Sequence, residues 1–138
     1  MIKGLGATAV SLLAAVLPVP ALSEVGPHAL LNVSEELLRA YRAEDAQAFR
    51  ELLSPPLQVK YPVERLHQIL AQCRALTHEI DRFSIPSWGG RRYGFFGVYA
   101  ELAVLEMILE IDESGRIIHW VITDDVTSGH QPCAVSIF

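Results

Sequence analysis

Ala103-Val104-Leu105-Glu106-Met107-Ile108-Leu109-Glu110-Ile111 is the stretch on which the fold turns, because composition and pattern disagree over it. Ala, Leu, Met and Glu are good helix formers. Yet every odd position from Ala103 to Ile111 is apolar, while Glu106 and Glu110 fall on even ones. Alternation with period two marks a strand with one buried face, so the stretch reads as β. Asp112-Glu113-Ser114-Gly115 then becomes a hairpin loop with a late glycine, and Arg116 to Thr123, rich in Ile, Val and Trp, its returning strand. Upstream, Tyr93 to Ala100 is aromatic and β-branched, with Gly94 and Gly97 allowing a bend or bulge. Ile80 to Ile85 reads as a short strand ended by Pro86, and Trp88-Gly89-Gly90 as a turn or loop. Val135 to Phe138 adds a small edge strand.

The half before Ile80 has the helical period. Leu30, Val33 or Ser34, Leu37, Leu38 and Tyr41 recur at steps of three and four and form one apolar stripe. Asp45 is an N-cap for a second helix, Ala46 to Leu53, whose apolar face is Phe49, Leu52 and Leu53. Ser54-Pro55-Pro56 stops it. A third helix starts at Pro62, with Val63, Leu66, Ile69, Leu70, Cys73 and Leu76 as its buried stripe. Helices segregated from strands mean α+β: three N-terminal helices packed on a curved antiparallel sheet of about four strands. A concave space between the layers is where a ligand would sit.

Two segments resemble the nuclear transport factor 2-like superfamily, the cystatin-type α+β cone. One is Tyr41-Arg42-Ala43-Glu44-Asp45 with Phe49 and Leu52-Leu53-Ser54-Pro55, similar to the family's Ala-Gly-Asp helix end and Leu-Phe-x-Pro-like stop; Glu44 stands where Gly is usual. The other is Leu109 to Ile117, similar to its acidic-Gly-basic-Ile hairpin. The resemblance runs from Leu30 to Asp125 and implies a cone-like fold. Its members include isomerases, dehydratases, cyclases and domains without an assigned reaction. A small secreted member would resemble the last group most, and fold alone does not choose among these functions.

Met1 to Ser23 reads as an export signal: Lys3 at the start, an apolar run from Leu5 to Leu17, then Pro18, Pro20 and small residues at Ala21 and Ser23. The apolar run is shorter than the roughly 20 residues a spanning helix needs. The mature chain would begin near Glu24, one domain of about 115 residues, periplasmic or extracellular, with no membrane attachment after cleavage. The net charge of −5, with Arg91-Arg92 as the sole basic pair, argues against nucleic acid. Cys73 and Cys133 are the two cysteines. In an oxidising compartment such a pair is bonded or buried free, and a bond would staple the tail to the third helix.

Residues that would carry chemistry are few. An enzyme of this shape needs a base in an apolar pocket with a hydroxyl opposite. His119, Asp124 and Asp125 are the candidates for the base. If Ile118, Trp120 and Ile122 face the helices, His119 faces away with Val121. Tyr41, Tyr93, Tyr99 and Trp120 are candidates for a ligand pocket. His67 and His78, three helical turns apart, lack a third ligand, so neither a metal nor another cofactor is expected. G-x-S-x-G, H-E-x-x-H and P-loop signatures are absent. Val104, Ile108 and Val121 would make the sheet's second face apolar. The leading expectation is a secreted non-catalytic module that binds a small apolar ligand or a protein, including a second copy of itself through the open sheet. The alternative is a small isomerase- or dehydratase-like enzyme with an Asp or His base.

Overall fold

A computed structural model describes Gly4, Gly6 and residues 26–138. The expected export signal, residues 1–23, lies outside the described residues apart from the two glycines. Helices precede strands, in the order α1 (Ala29–Arg42), α2 (Ala46–Glu51), α3 (Pro55–Lys60), α4 (Val63–Thr77), β1 (Ile80–Phe83), β2 (Trp88–Gly89), β3 (Tyr93–Ala100), β4 (Val104–Ile111), β5 (Ile117–Thr123) and β6 (Ala134–Ser136). The architecture is α+β, with one antiparallel sheet ordered β1-β3-β4-β5-β6 and β2 paired to β3 beside β1.

The helical half keeps to most of its apolar spacing, but Val63, expected in the buried stripe of the third helix, is exposed at the first turn. In α1 the buried stripe is Leu30, Ser34, Leu37, Ala40 and Tyr41. Ser34 takes the inward position beside Val33 because its hydroxyl donates to the Leu31 carbonyl at 2.7 Å. Asp45 caps α2 by accepting from the Ala48 N–H at 2.9 Å. The chain then forms four helices rather than three. Pro55 and Pro56 open α3 rather than only ending α2, since the first turn of a helix needs no N–H from them and its φ suits proline. Arg50 holds the end of α3, donating to the carbonyls of Gln58 at 2.8 Å and Tyr61 at 3.2 Å. Leu57 is fully buried as a result.

The stretch 103–111 is a strand from Val104 onward, with Leu105, Met107, Leu109 and Ile111 buried. Trp88-Gly89 is strand rather than loop: the chain resumes pairing after Pro86, with Trp88 opposite Phe95 and Gly89 opposite Gly94. Gly89 sits at φ +141°, where a Cβ would lie 2.0 Å from the Tyr93 carbonyl oxygen. On β5 the expected facing holds for Trp120 and Ile122 but moves from Ile118 to Ile117. Glu110 opposes His119 while Ile111 opposes Ile117, which makes Ile118 the extra residue of a bulge. Ile117 is fully buried and also bridges Leu53: Ser54 N–H donates to its carbonyl and its own N–H donates to Leu52, each at 2.9 Å.

Cys73 of α4 and Cys133, one residue before β6, form a disulfide with Cα atoms 4.8 Å apart. Both are fully buried, so the bond fastens the edge strand to the helical layer. It closes a separation of 60 residues. Two residues other than glycine take positive φ, Glu44 and His78, both at 53°. Glu44 turns α1 into α2 and pairs with Arg74 at 2.8 Å. His78 turns α4 into β1 and, at ψ −140°, occupies a region that suits glycine.

Two substitutions test these features. Cys133→Ser is expected to lower stability by about 4 kcal/mol in the chain-entropy account, read from the denaturant midpoint. His78→Gly is expected to raise it by about 1 kcal/mol, read from the thermal midpoint. An unchanged midpoint would show that the backbone there is not strained.

Candidate functional site

The sheet has a core face and an outer face, and the candidate residues divide between them. The core face meets the helices. Trp120 is fully buried, with the Phe49 ring 5.1 Å and the Tyr41 ring 6.5 Å away, both edge-on. Its indole N–H donates to the Met107 sulfur at 3.2 Å. The Tyr41 hydroxyl shares a 2.7 Å hydrogen bond with Thr77. Burial pushes the Tyr41 pKa up, against the Thr77 hydrogen bond and the nearby Arg74. These side chains pack against one another between the layers.

Tyr93 and Tyr99 stand on the other face, because they alternate with Gly94, Phe96 and Val98, which are buried on the core side. The expected pocket of Tyr41, Tyr93, Tyr99 and Trp120 therefore does not assemble. The sheet separates it into two pairs. Strand register arranges the outer face in rows. One runs Tyr93–Glu110–His119–Ser136, the next Phe95–Ile108–Val121–Ala134, and a third Gly97–Glu106–Thr123. Arg82, Tyr99 and Val104 end the face, with the Arg82 guanidinium 4.1 Å above the Tyr99 ring. Val104 is 65% exposed, whereas Val121 is buried between the rows.

His119 is half-buried on this face. Its Nδ1 lies 3.0 Å from the Ser136 hydroxyl, and the Phe138 ring centre is 6.5 Å away. Burial holds its pKa below the usual imidazole range, opposed by the Glu110 carboxylate. The two aspartates do not join it. Thr123, the last residue of β5, is about 13 Å of strand from His119, and both aspartates lie beyond it. Asp125 organises an exposed turn: its Oδ1 accepts from the Thr127 hydroxyl at 2.6 Å and the Thr127 N–H at 2.9 Å. Those bonds, the hydroxyl's first, lower its pKa. Asp124 is exposed. His78 comes after the end of α4, so it continues no helical face with His67. Among the described residues no three His, Cys, Asp or Glu side chains are grouped to hold a metal.

A concavity of about 890 Å³ lies among α1, α2, α3 and the β4–β5 loop. Ala40, Ala43 and Ala48 line it together with the charged Glu36, Arg39, Glu51 and Arg116. None of the sequence candidates lines it. The residues come from four separate segments, and no periodicity or motif joins them. Ser136 escapes a sequence reading for a similar reason: register alone brings it beside His119.

No protein-family model, curated protein or solved structure matches the chain. No helix among the described residues is long and apolar enough to cross a membrane.

The lowered His119 pKa fixes the sign of one pH effect. The unfolded chain takes up the proton first, so His119 costs nothing above the ordinary imidazole pKa of about 6.5 and destabilises the fold as pH falls below it. The denaturant midpoint is expected to drop between about pH 7 and pH 5, and to drop less in His119→Gln. Identical pH profiles for the two proteins would refute this.

Proposed function

We propose that the chain is an exported α+β module that pairs with a second copy of itself through the outer face of its sheet. One observation carries the reading. The core face is filled by side chains, whereas the outer face leaves Tyr93, Phe95, Tyr99 and Ile108 part-exposed and Val104 largely exposed. Apolar side chains exposed together on one sheet face mark an interaction site. The face carries both signs of charge, Arg82 at one side and Glu106 and Glu110 near the middle, so a two-fold partner can meet it with opposite charge. The filled interior favours a protein partner over a small apolar ligand. The buried disulfide and the Met1–Ser23 pattern support export. The helix-then-meander order and the acidic hairpin support kinship with the nuclear transport factor 2-like superfamily.

Sedimentation equilibrium tests the pairing. Without residues 1–23, the protein is expected at the mass of two chains, and Ile108→Glu at the mass of one with an unchanged circular dichroism spectrum. A single-chain mass for the unaltered protein at high micromolar concentration would overturn self-pairing. A dimeric Ile108→Glu protein would move the interface off the sheet.

A further inference from the structure

We propose that Ser136 is a nucleophile which His119 activates toward acyl donors, with the Glu110 carboxylate on the neighbouring strand stabilising the imidazolium that forms. Three neighbouring strands place them in one row, Glu110 on β4, His119 on β5 and Ser136 on β6. Ser136 Oγ and His119 Nδ1 are 3.0 Å apart, within the reach that a nucleophile and its base require. The Phe138 N–H donates to the same Oγ at 3.2 Å. That occupies one lone pair and leaves the hydroxyl proton for an acceptor, and Nδ1 is the acceptor at hand. Glu110 flanks His119 from the strand opposite Ser136. Its charge favours the imidazolium that forms when Nδ1 takes the serine proton. Burial favours the neutral ring, against the pull of Glu110. Ser136 and His119 are both part-exposed, so a small ester reaches Oγ. Lys60, whose ammonium donates to the Ser136 carbonyl at 2.8 Å and the Phe138 carbonyl at 3.2 Å, sets a positive charge beside the pair. Such constellations are recognised by geometry rather than by sequence order, which is why the absence of G-x-S-x-G does not count against this one.

The step balances without a cofactor. Ser136 Oγ attacks the ester carbonyl carbon, an O–C bond forms, and the hydroxyl proton passes to Nδ1. The bond from carbonyl carbon to alcohol oxygen breaks, and the imidazolium returns the proton to that oxygen. Water then attacks the acyl-serine while His119 takes its proton. The carboxylic acid leaves, and Ser136 regains a proton from the ring.

The test uses p-nitrophenyl acetate on the disulfide-intact protein, with peptide mass spectrometry to locate the acetyl group. Acetylation is expected at Ser136, and slower by about 100-fold in His119→Gln. Acetyl spread evenly over Ser114, Ser128 and Ser136, or a rate at Ser136 unaltered in His119→Gln, would overturn the proposal. Glu110→Gln supplies the control for folding. Removing the carboxylate lowers the His119 pKa further, so the pH midpoint of Ser136 acetylation is expected to move down, which a purely structural role would not cause. An unmoved midpoint would remove Glu110 from the site. Sedimentation equilibrium of His119→Gln separates this proposal from self-pairing: a two-chain mass with slowed acetylation of Ser136 assigns the loss to the imidazole and not to the dimer.

Discussion

The indole of Trp120 is the contact on which the two layers depend. It projects from the middle of β5 into the helical layer, and two rings from different helices meet it edge-on: Phe49 of α2 and Tyr41 of α1. Such pairs add about 0.5–1.5 kcal/mol each beyond the area they bury. The N–H that would otherwise be orphaned in this apolar setting is directed at the Met107 sulfur. Tyr41 in turn reaches Thr77 at the end of α4. One side chain thus gathers α1, α2 and β4 around β5, and α4 through Tyr41. The disulfide complements it, fastening α4 to the residue before β6, the strand on the other side of β5.

Between the layers the aromatic and aliphatic side chains around Trp120 pack together. Polar and charged side chains gather instead on two surfaces among the described residues: the outer sheet face with its rows of Tyr, Glu, His and Ser, and the concavity between the helices and the β4–β5 loop. The two lie on different elements, so an altered residue in one leaves the other intact.

Much of the fold is legible in the sequence because it rests on local rules. The alternation of 103–111 outweighs its helix-forming residues, since burying Leu105, Met107, Leu109 and Ile111 on one face is worth more than the small propensity differences between helix and strand. Asp45 announces α2 because a short carboxylate before a helix satisfies an orphan N–H. The misses share a cause as well. Pro55-Pro56 is at once a stop for the helix before it and a good start for the helix after it, and a linear reading takes only the first meaning. Parity along β5 fails at Ile118 because a bulge has no mark in composition. The site is least legible, since Ser136, His119 and Glu110 come together only through the register of three strands.

The bulge at Ile118 links these two levels. Ile117 has to face inward, because it is fully buried and its backbone bridges Leu52 and Ser54 of the helical layer. Trp120 has to face inward as well, to meet Tyr41 and Phe49. In a regular strand residues three apart lie on opposite faces, so both demands are met only if one residue between them is extra. Ile118 is that residue, and its insertion leaves His119 outward, aligned with Glu110 on one side and Ser136 on the other. The row on the outer face is therefore a consequence of how the core closes: the packing that turns Ile117 and Trp120 inward sets the imidazole beside a hydroxyl on the surface.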